Sequence, residues 1–407
     1  MIKLTFTGDI MSSMCQNEAC ITSNGDFDYS RLFANIDLSD TDYLCGNLET
    51  PVAGKALGYT NTPTQFNTPN TFLAALKKAG FHFFSMANNH VMDRGEEGML
   101  RTLEALDEYG FDHTGTYKST EDSNRIFVKT IKGVRIAFLS FTYGTNADDN
   151  HNMLQTGHEY FVDLLRSQSK TPIPPQGNRF SYAKLLRAFK HRGTYYLGKL
   201  KNLVSPSKAS EYFCGTILDC VTAQSINDSK NTPYIDRFIS KIHQAKELSD
   251  ITVLCLHIGG QYNNELGEYT KYIYSLLANE NVDIVIGNHP HCVLGSDWDG
   301  NKLITYSLGN FTFTPRNGWY NFDVYADYNI LLNVEIDDSV KNISRCTYSV
   351  LKVIRGDDDI SRTHFLYDLI QSEQNKEKRQ QLELDNQKVI ERFTGKHIST
   401  IQKEYIL

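Results

Sequence analysis

Apolar and polar positions alternate along the first part of the chain with two periods, one of two residues and one of 3.6 residues. Period-two alternation and short apolar runs indicate β-strands, whereas the longer period indicates amphipathic helices. The predicted strands lie at residues 2–8, 42–49, 81–90, 125–131 and 134–141. The predicted helices lie at residues 70–80 and 96–110.

The same pattern returns in the second half of the chain. Helices are predicted at residues 234–248 and 269–280, and strands at 251–258, 282–287, 302–309 and 329–336. Apolar strands that alternate with helices favour an α/β fold with buried sheets. The pattern stops between residues 146 and 220, which we interpret as a basic helical insertion in a domain of residues 1–355. Residues 356–407 are polar and predict a helical C-terminal appendage on the surface.

Composition narrows the class of protein. The chain has 407 residues, of which 40% are hydrophobic and 22% are charged, as in ordinary globular proteins. Its net charge of −7 disfavours nucleic acid as the general partner. The first residues form a strand-like pattern without the apolar core of a signal peptide. These features predict a cytoplasmic protein that could at most associate with a membrane surface.

Polar side chains follow five of the predicted strands, often beside a glycine. In α/β sheets ligands bind beyond the carboxyl ends of the strands, so these side chains are expected to converge. Each has an ordinary structural explanation when taken alone, such as a turn aspartate or a hydrogen-bonded histidine. Together their oxygen and imidazole donors favour one or two divalent ions of manganese, iron or zinc. The six candidate ligands are Asp9, Glu49, Asn89, His257, His289 and His291.

Two local patterns refine this set. His289 and His291 are separated by a proline, and in an extended segment residues two apart point the same way. Asn89 and His90 are adjacent, so in an extended segment only one of them should face the metal, and we assign that role to Asn89. Asp93 and Glu96 have the spacing of a helix capping box, which we favour over a catalytic role for them.

The chain resembles the CapA family of poly-γ-glutamate capsule synthesis proteins, within the calcineurin-like metallophosphoesterases. The similar segments occur in family order: FTGDIM, GNLETPV, MANNHVMDRG, TYGTN, HIGGQY, IGNHPH and YSLGNF. The resemblance implies a four-layer αββα sandwich with a metal site at one edge. It implies one ion held by Asp9 and His291, a second ion held by Asn89, His257 and His289, and Glu49 between them.

The resemblance also implies a mechanism. A metal-activated hydroxide would attack the substrate, and His90 would protonate the leaving group or contact anionic oxygens. Asn88 and Asn310 lie in the matching motifs and are expected to contact the substrate. The expected function is that of a hydrolase or transferase in the synthesis of capsule, poly-γ-glutamate or another anionic surface polymer. The expected substrate is an anionic polymer or a phosphoester.

Departures from the superfamily pattern at Met11 and Glu49, and from the family pattern at Gln261, leave an alternative function open. Met11 stands where phosphoesterases usually have a histidine, Glu49 replaces the usual bridging aspartate, and Gln261 replaces a glutamate. The first metal site therefore lacks one ligand, and the remaining ligands are consistent with a single bound ion. The alternative is a non-catalytic component that binds polymer or other capsule-synthesis proteins and keeps a metallophosphoesterase shell.

The predicted insertion has an unusual charge. Residues 164–210 contain ten Lys or Arg and no Asp or Glu. One interpretation is a helical subdomain with solvated charges. The other is a surface that attracts a polyanion or an anionic membrane, and its attraction would weaken with salt. For that second interpretation the predicted substrate-binding residues are Lys184, Arg187, Lys190 and Arg192.

Overall fold

A computed structural model describes residues 1–62, 64–168, 220–221, 223–263, 265–314 and 325–407. Within these ranges the chain folds into two β-sheets with helices on their outer faces. The predicted basic residues at positions 184, 187, 190 and 192 lie outside the described residues. Their role in binding an anionic polymer or membrane surface stays a prediction.

The first sheet has eight strands and mixed directions. Its order is β13-β12-β11-β1-β2-β3-β4, and β14 also pairs with β12. Strand β1 runs parallel to β2 and antiparallel to β11. The strands are β1 (Ile2–Ile10), β2 (Tyr43–Leu48), β3 (Phe81–Ser85), β4 (Asp112–Thr114), β11 (Tyr328–Asp337), β12 (Asn342–Arg355), β13 (Ser361–Phe365) and β14 (Tyr405–Ile406).

The second sheet has six strands in the order β5-β6-β7-β8-β10-β9. Strands β6, β7 and β8 are parallel neighbours, so their carboxyl ends lie at one edge of the sheet. The strands are β5 (Phe127–Ile131), β6 (Val134–Thr142), β7 (Ile251–His257), β8 (Ile284–Asn288), β9 (Ser296–Trp298) and β10 (Leu303–Thr305).

Nine α-helices lie within the described residues. They are α1 (Met14–Ala19), α2 (Thr71–Lys78), α3 (Gly95–Glu108), α4 (Thr120–Asn124), α5 (Ala147–Asn150), α6 (Thr232–Leu248), α7 (Glu268–Leu276), α8 (Leu366–Ser372) and α9 (Lys376–Thr394). No helix in these ranges is both long and apolar enough to cross a lipid bilayer.

Three apolar clusters establish the order of the layers. One cluster joins the facing sides of the two sheets and includes Phe6 of β1 and Val253 of β7. A second packs α2 and α3 against the outer face of the first sheet. A third packs α6 and α7 against the outer face of the second sheet, with Phe238 fully buried. The predicted four-layer αββα sandwich is therefore confirmed.

The C-terminal segment differs from the helical surface appendage that we predicted. Residues 356–407 contribute β13 and β14 to the first sheet, both paired with β12. Helix α9 buries Val389, Ile390 and Phe393 in the cluster between the sheets. The polar composition misled the prediction because a helix that covers the end of a core needs only one apolar stripe.

The first part of the predicted insertion also packs against the main fold. Phe161 and Val162 are buried beside α3, and Leu164 forms a bridge with Thr142 at the end of β6. Residues 146–168 therefore form a loop layer over the sheet edge, held by α5 and a short 3₁₀ turn at Glu159–Phe161.

Candidate metal centre

The six predicted metal ligands converge at one edge of the sandwich and are all buried. Asp9 lies in β1, Glu49 directly follows β2, and His257 ends β7. The loops after β3 and β8 supply Asn89 and the two histidines of the proline motif. The strand ends of both sheets face one another here because the sheets pack face to face with these ends at the same edge.

Glu49 lies at the centre of this group. Its Oε1 atom lies 3.4 Å from Nε2 of His257, 3.7 Å from Nε2 of His291 and 3.9 Å from Nε2 of His90. The side chain is fully buried, and neither carboxylate oxygen accepts a hydrogen bond from the described residues. A buried carboxylate without hydrogen bonds is costly, so its position calls for a positive partner.

One half of the centre is rich in nitrogen donors. Nε2 of His257 lies 2.7 Å from Oδ1 of Asn89 and 3.1 Å from Nδ1 of His289. The Nδ2 atom of Asn89 is buried without a hydrogen-bond partner in the described structure. Burial and the neighbouring imidazoles hold the pKa of His289 well below its ordinary value, so the ring is neutral and can act as a ligand.

The other half pairs Asp9 with His291. Oδ2 of Asp9 lies 3.3 Å from Nδ1 of His291, and Oδ1 accepts a hydrogen bond from Nδ2 of Asn47 at 2.8 Å. Burial lowers the pKa of His291, but the charges of Glu49 and Asp9 outweigh it and raise this pKa to about 9. Burial raises the pKa of Asp9, yet its contacts with His291 leave that pKa below the ordinary value.

The two histidines of the proline motif reach the site by a different backbone from the one predicted. His289 has φ of 99° and His291 has φ of 56°, so both lie in the left-handed region and the segment is not extended. Their ring centroids are still only 5.8 Å apart. Positive φ is uncommon for residues with a side chain and costs energy, and such conformations cluster at functional sites.

The prediction about Asn89 and His90 was also wrong in its geometry. Both residues lie in a turn after β3, and both side chains face the site. Nδ1 of His90 lies 2.8 Å from Oδ2 of Asp93, a contact that fixes the ring with Nε2 towards Glu49. Burial lowers the pKa of His90, but the charge and hydrogen bond of Asp93 raise it more, and the net shift is upward.

The capping role predicted for Asp93 and Glu96 is therefore wrong. Helix α3 begins after Arg94, and no side chain caps its first turn. Oδ2 of Asp93 also accepts a hydrogen bond from the backbone N–H of Phe66. Glu96 instead contacts Nδ1 of His158 at 2.9 Å. The spacing of three residues from His90 to Asp93 was the sequence signal for this pair.

Asn88 and Asn310 make contacts within the protein. Nδ2 of Asn88 donates to the carbonyl of Leu48 at 2.8 Å, and its Oδ1 accepts from the N–H of His90. Oδ1 of Asn310 lies 2.9 Å from Nδ1 of His291. These contacts orient ligand-bearing loops. The predicted contact of both asparagines with a substrate stays a prediction.

Two neighbours of the ligands were not among the predicted site residues. Nδ2 of Asn47 lies 3.2 Å from Nδ1 of His257 and also donates to Asp9, so one amide orients two candidate ligands. Sγ of Cys220 lies 3.0 Å from Nε2 of His289. A polar residue one position before the end of β2 was the available signal for Asn47, whereas nothing in the sequence indicated the cysteine.

The donor set fits a divalent transition metal. Glu49, His257 and His289 offer atoms within 4.8 Å of one another, and so do Asp9, Glu49 and His291. Imidazole and carboxylate donors suit manganese, iron or zinc. The unsatisfied oxygens of Glu49 and the facing nitrogens of His257 and His289 are what ligands without their ion would show.

A cavity of about 570 Å³ opens above the centre. Its described lining includes His90 and His291 from the centre, together with Met11 and Gln261, two of the three departures noted in the sequence. A cavity of this size can hold a small molecule or the end of a polymer.

Comparison with known proteins decides the family. Residues 3–315 match the family described as "Bacterial capsule synthesis protein PGA_cap". The chain belongs to this family. The capsule biosynthesis protein CapA of Bacillus anthracis is 24% identical over 323 residues, which cover 78% of this chain and 61% of that protein. The PGA biosynthesis protein CapA of Bacillus subtilis is 23% identical over 326 residues, which cover 78% of this chain and 64% of that protein.

The match thus spans less than two thirds of either relative's length. Among solved structures, a hypothetical protein from Thermus thermophilus aligns with a TM-score of 0.35 and 10% identity, over 89% of this chain and 97% of the other. A Staphylococcus aureus protein assigned as a 5'-nucleotidase aligns with a TM-score of 0.37 and 12% identity, over 94% of this chain and 58% of the other. The two-sheet fold of this chain is shown by its own strand pairing and apolar clusters.

Proposed function

We propose that the protein is a metal-dependent hydrolase of the metallophosphoesterase kind that acts in the synthesis of an anionic surface polymer. The observation that carries this proposal is the fully buried Glu49, whose oxygens accept no hydrogen bond from the described residues and which lies between two groups of imidazole donors. Asp9 and His291 would hold one ion, Asn89, His257 and His289 a second, and Glu49 would contact both. Membership of the capsule synthesis family supports the assignment to polymer synthesis.

A divalent ion bound by these residues would supply Lewis acidity and lower the pKa of water, so that water becomes a nucleophile near neutral pH. His90 faces the centre and is held by Asp93, whose charge and hydrogen bond raise its pKa and so favour the protonated ring. It is therefore suited to donate a proton from Nε2 to a leaving oxygen or nitrogen.

The proposal can be tested with a panel of phosphodiesters, phosphomonoesters and γ-glutamyl peptides in the presence of added manganese. Wild-type protein should turn over at least one class, and His289→Ala should lose both metal and turnover. His243→Ala is a suitable control, because this histidine is exposed in α6 and pairs with Glu280 rather than with a candidate ligand. No turnover of any class by metal-loaded wild type would contradict the proposal.

A second function is favoured by one observation. Met11 lines the cavity where a first-site histidine would stand, so Asp9, Glu49 and His291 are the protein donors of that half. A half-site with three donors is consistent with a protein that binds polymer or another capsule-synthesis component without cleaving it. Metal-dependent binding of poly-γ-glutamate without any turnover would favour this second function.

A further inference from the structure

We propose that the cavity above the metal centre binds a second anionic group of the substrate, and that Arg166 and Arg355 are the residues that bind it. This inference rests on the proposed function, because it takes the cavity to be the entrance for a substrate that reaches the metal centre. It adds the class of substrate, which is a molecule that carries two anionic groups, one for the metal centre and one for the cavity wall.

The first observation is the charge of the cavity wall. Arg166 and Arg355 come from different parts of the chain, one from the loop layer and one from the end of β12, yet both line the same cavity as His90 and His291. Asp359 is the one carboxylate among the described residues that line it. Two guanidinium groups beside one acid make this wall attractive to anions.

The second observation concerns how each arginine is held. Nε of Arg166 donates to the carbonyl of Tyr143 at 3.0 Å, which fixes the side chain through one edge of its guanidinium. No carboxylate in the described part of the chain forms an ion pair with it. The rest of the guanidinium is therefore available for a planar, bidentate contact with a carboxylate or phosphate.

Arg355 has an unmet donor. Its Nη2 atom contacts Oδ1 of Asp359 at 2.9 Å, but Asp359 is 68% exposed, so this ion pair is weakened by water and salt. Its Nε atom is buried and has no hydrogen-bond partner in the described structure. A buried N–H donor without a partner, in a cavity next to a reaction centre, indicates that a ligand oxygen completes it.

The family match does not imply this site. Arg355 lies beyond residues 3–315, where the match ends. Chemically, the second anionic group is either a carboxylate, such as the free α-carboxylate that each residue of a γ-glutamyl chain carries, or a second phosphate. Both present oxygens in a geometry that arginine can bind with two hydrogen bonds.

The test compares ligands in matched pairs by isothermal titration calorimetry on manganese-loaded protein at low salt. The carboxylate pair is a γ-glutamyl tripeptide and its α-carboxamide, and the phosphate pair is glycerol 1,3-bisphosphate and glycerol 1-phosphate. In wild type, the ligand with the extra anionic group should bind about tenfold more tightly in at least one pair. The pair that shows this difference identifies the source of the anion.

The variants assign the effect to residues. Arg166→Gln and Arg355→Gln should each remove most of the tenfold preference, and Arg355→Lys should keep part of it because it retains the charge without the planar fork. Arg345→Gln is the matched control, since Arg345 lies in the same strand but pairs with Glu335 outside the cavity. It should keep the full preference.

Three results would overturn the inference: no preference in wild type for either pair, an unchanged preference in both glutamine variants, or an equal loss in Arg345→Gln. Failure of the proposed function gives a different result. In that case the arginine-dependent preference is present, but no substrate in the panel is turned over by the metal-loaded wild type.

Discussion

Two fully buried carboxylates, Asp163 and Glu49, differ in what surrounds them. Oδ2 of Asp163 lies 2.6 Å from Nζ of Lys241 and 2.6 Å from the hydroxyl of Tyr117, and Oδ1 lies 3.4 Å from Nε of Arg237. Both of its oxygens are therefore satisfied by the protein. Glu49 is equally buried, but its oxygens accept no hydrogen bond from the described residues.

The difference separates a structural site from a functional one. The Asp163 cluster ties the loop layer to α6, and each charge in it has its counter-charge within the fold. Around Glu49 the fold supplies imidazoles and an amide, but neither carboxylate oxygen accepts a hydrogen bond from the described residues. Burial of a carboxylate without hydrogen bonds is unfavourable, so we infer that a cation from outside the polypeptide completes its contacts.

The largest effect on turnover should come from substitution of His90, which lies beside Glu49. His90→Ala should lower turnover by roughly 10²- to 10⁴-fold, the usual contribution of a general acid. The metal content should stay near that of wild type, because His90 is not among the predicted ligands. Single-turnover kinetics and elemental analysis of the same sample would measure both.

Asn89→Ala is the informative partner variant, since Asn89 is adjacent to His90 and is assigned to the metal. It should lose metal. If the His90 variant loses metal and the Asn89 variant keeps it, the two roles are inverted.

Substitution of Asp163 is expected to change the stability of the protein rather than its activity. Asp163→Asn leaves the buried ammonium of Lys241 without its counter-charge and should lower the free energy of unfolding by about 3–5 kcal/mol. Asp107→Asn is the control, because Asp107 pairs with Lys118 at an exposed position and should change stability by less than about 1 kcal/mol. Urea denaturation measures both, and equal effects of the two variants would mean that the Asp163 cluster is not a buried ion pair.

A smaller effect should appear at Asp93, which acts through His90. Asp93 raises the pKa of His90, and a general acid is active only while protonated, so activity falls as pH rises through that pKa. Asp93→Asn should therefore move the alkaline limb of the profile of kcat/KM against pH to lower pH and reduce the plateau roughly tenfold. An unchanged alkaline limb would show that Asp93 has only a structural role.

Much of the site was predictable because strand ends can be recognised in the sequence. Asp9, Glu49 and His257 each end or follow an apolar run, and the buried edge of a sheet brings such positions together. The order of the layers followed from the alternation of strands and helices. The strands at the C-terminus were missed because β13 and β14 are short and lie among polar residues.

The geometry of the ligands was less predictable. Periodicity gives the direction of a side chain only in regular elements, and His289 and His291 lie in a left-handed turn. The role of Asp93 was hidden for a similar reason: a capping box and a histidine–aspartate pair share the same local spacing. Arg166 and Arg355 are far apart in sequence, and only the fold brings both to one cavity.

The most direct test of the account is the metal content of protein purified without chelator, measured by inductively coupled plasma mass spectrometry. Wild type and Asp163→Asn, if folded at low temperature, should carry one or two equivalents of manganese, iron or zinc, and Glu49→Gln should have lost most of it. Addition of the ion at about 100 times its Kd should stabilise wild type by about 2.7 kcal/mol and leave Glu49→Gln unchanged. Wild-type protein that carries no metal and cannot be loaded with any of the three ions would contradict the assignment of a metal centre at Glu49.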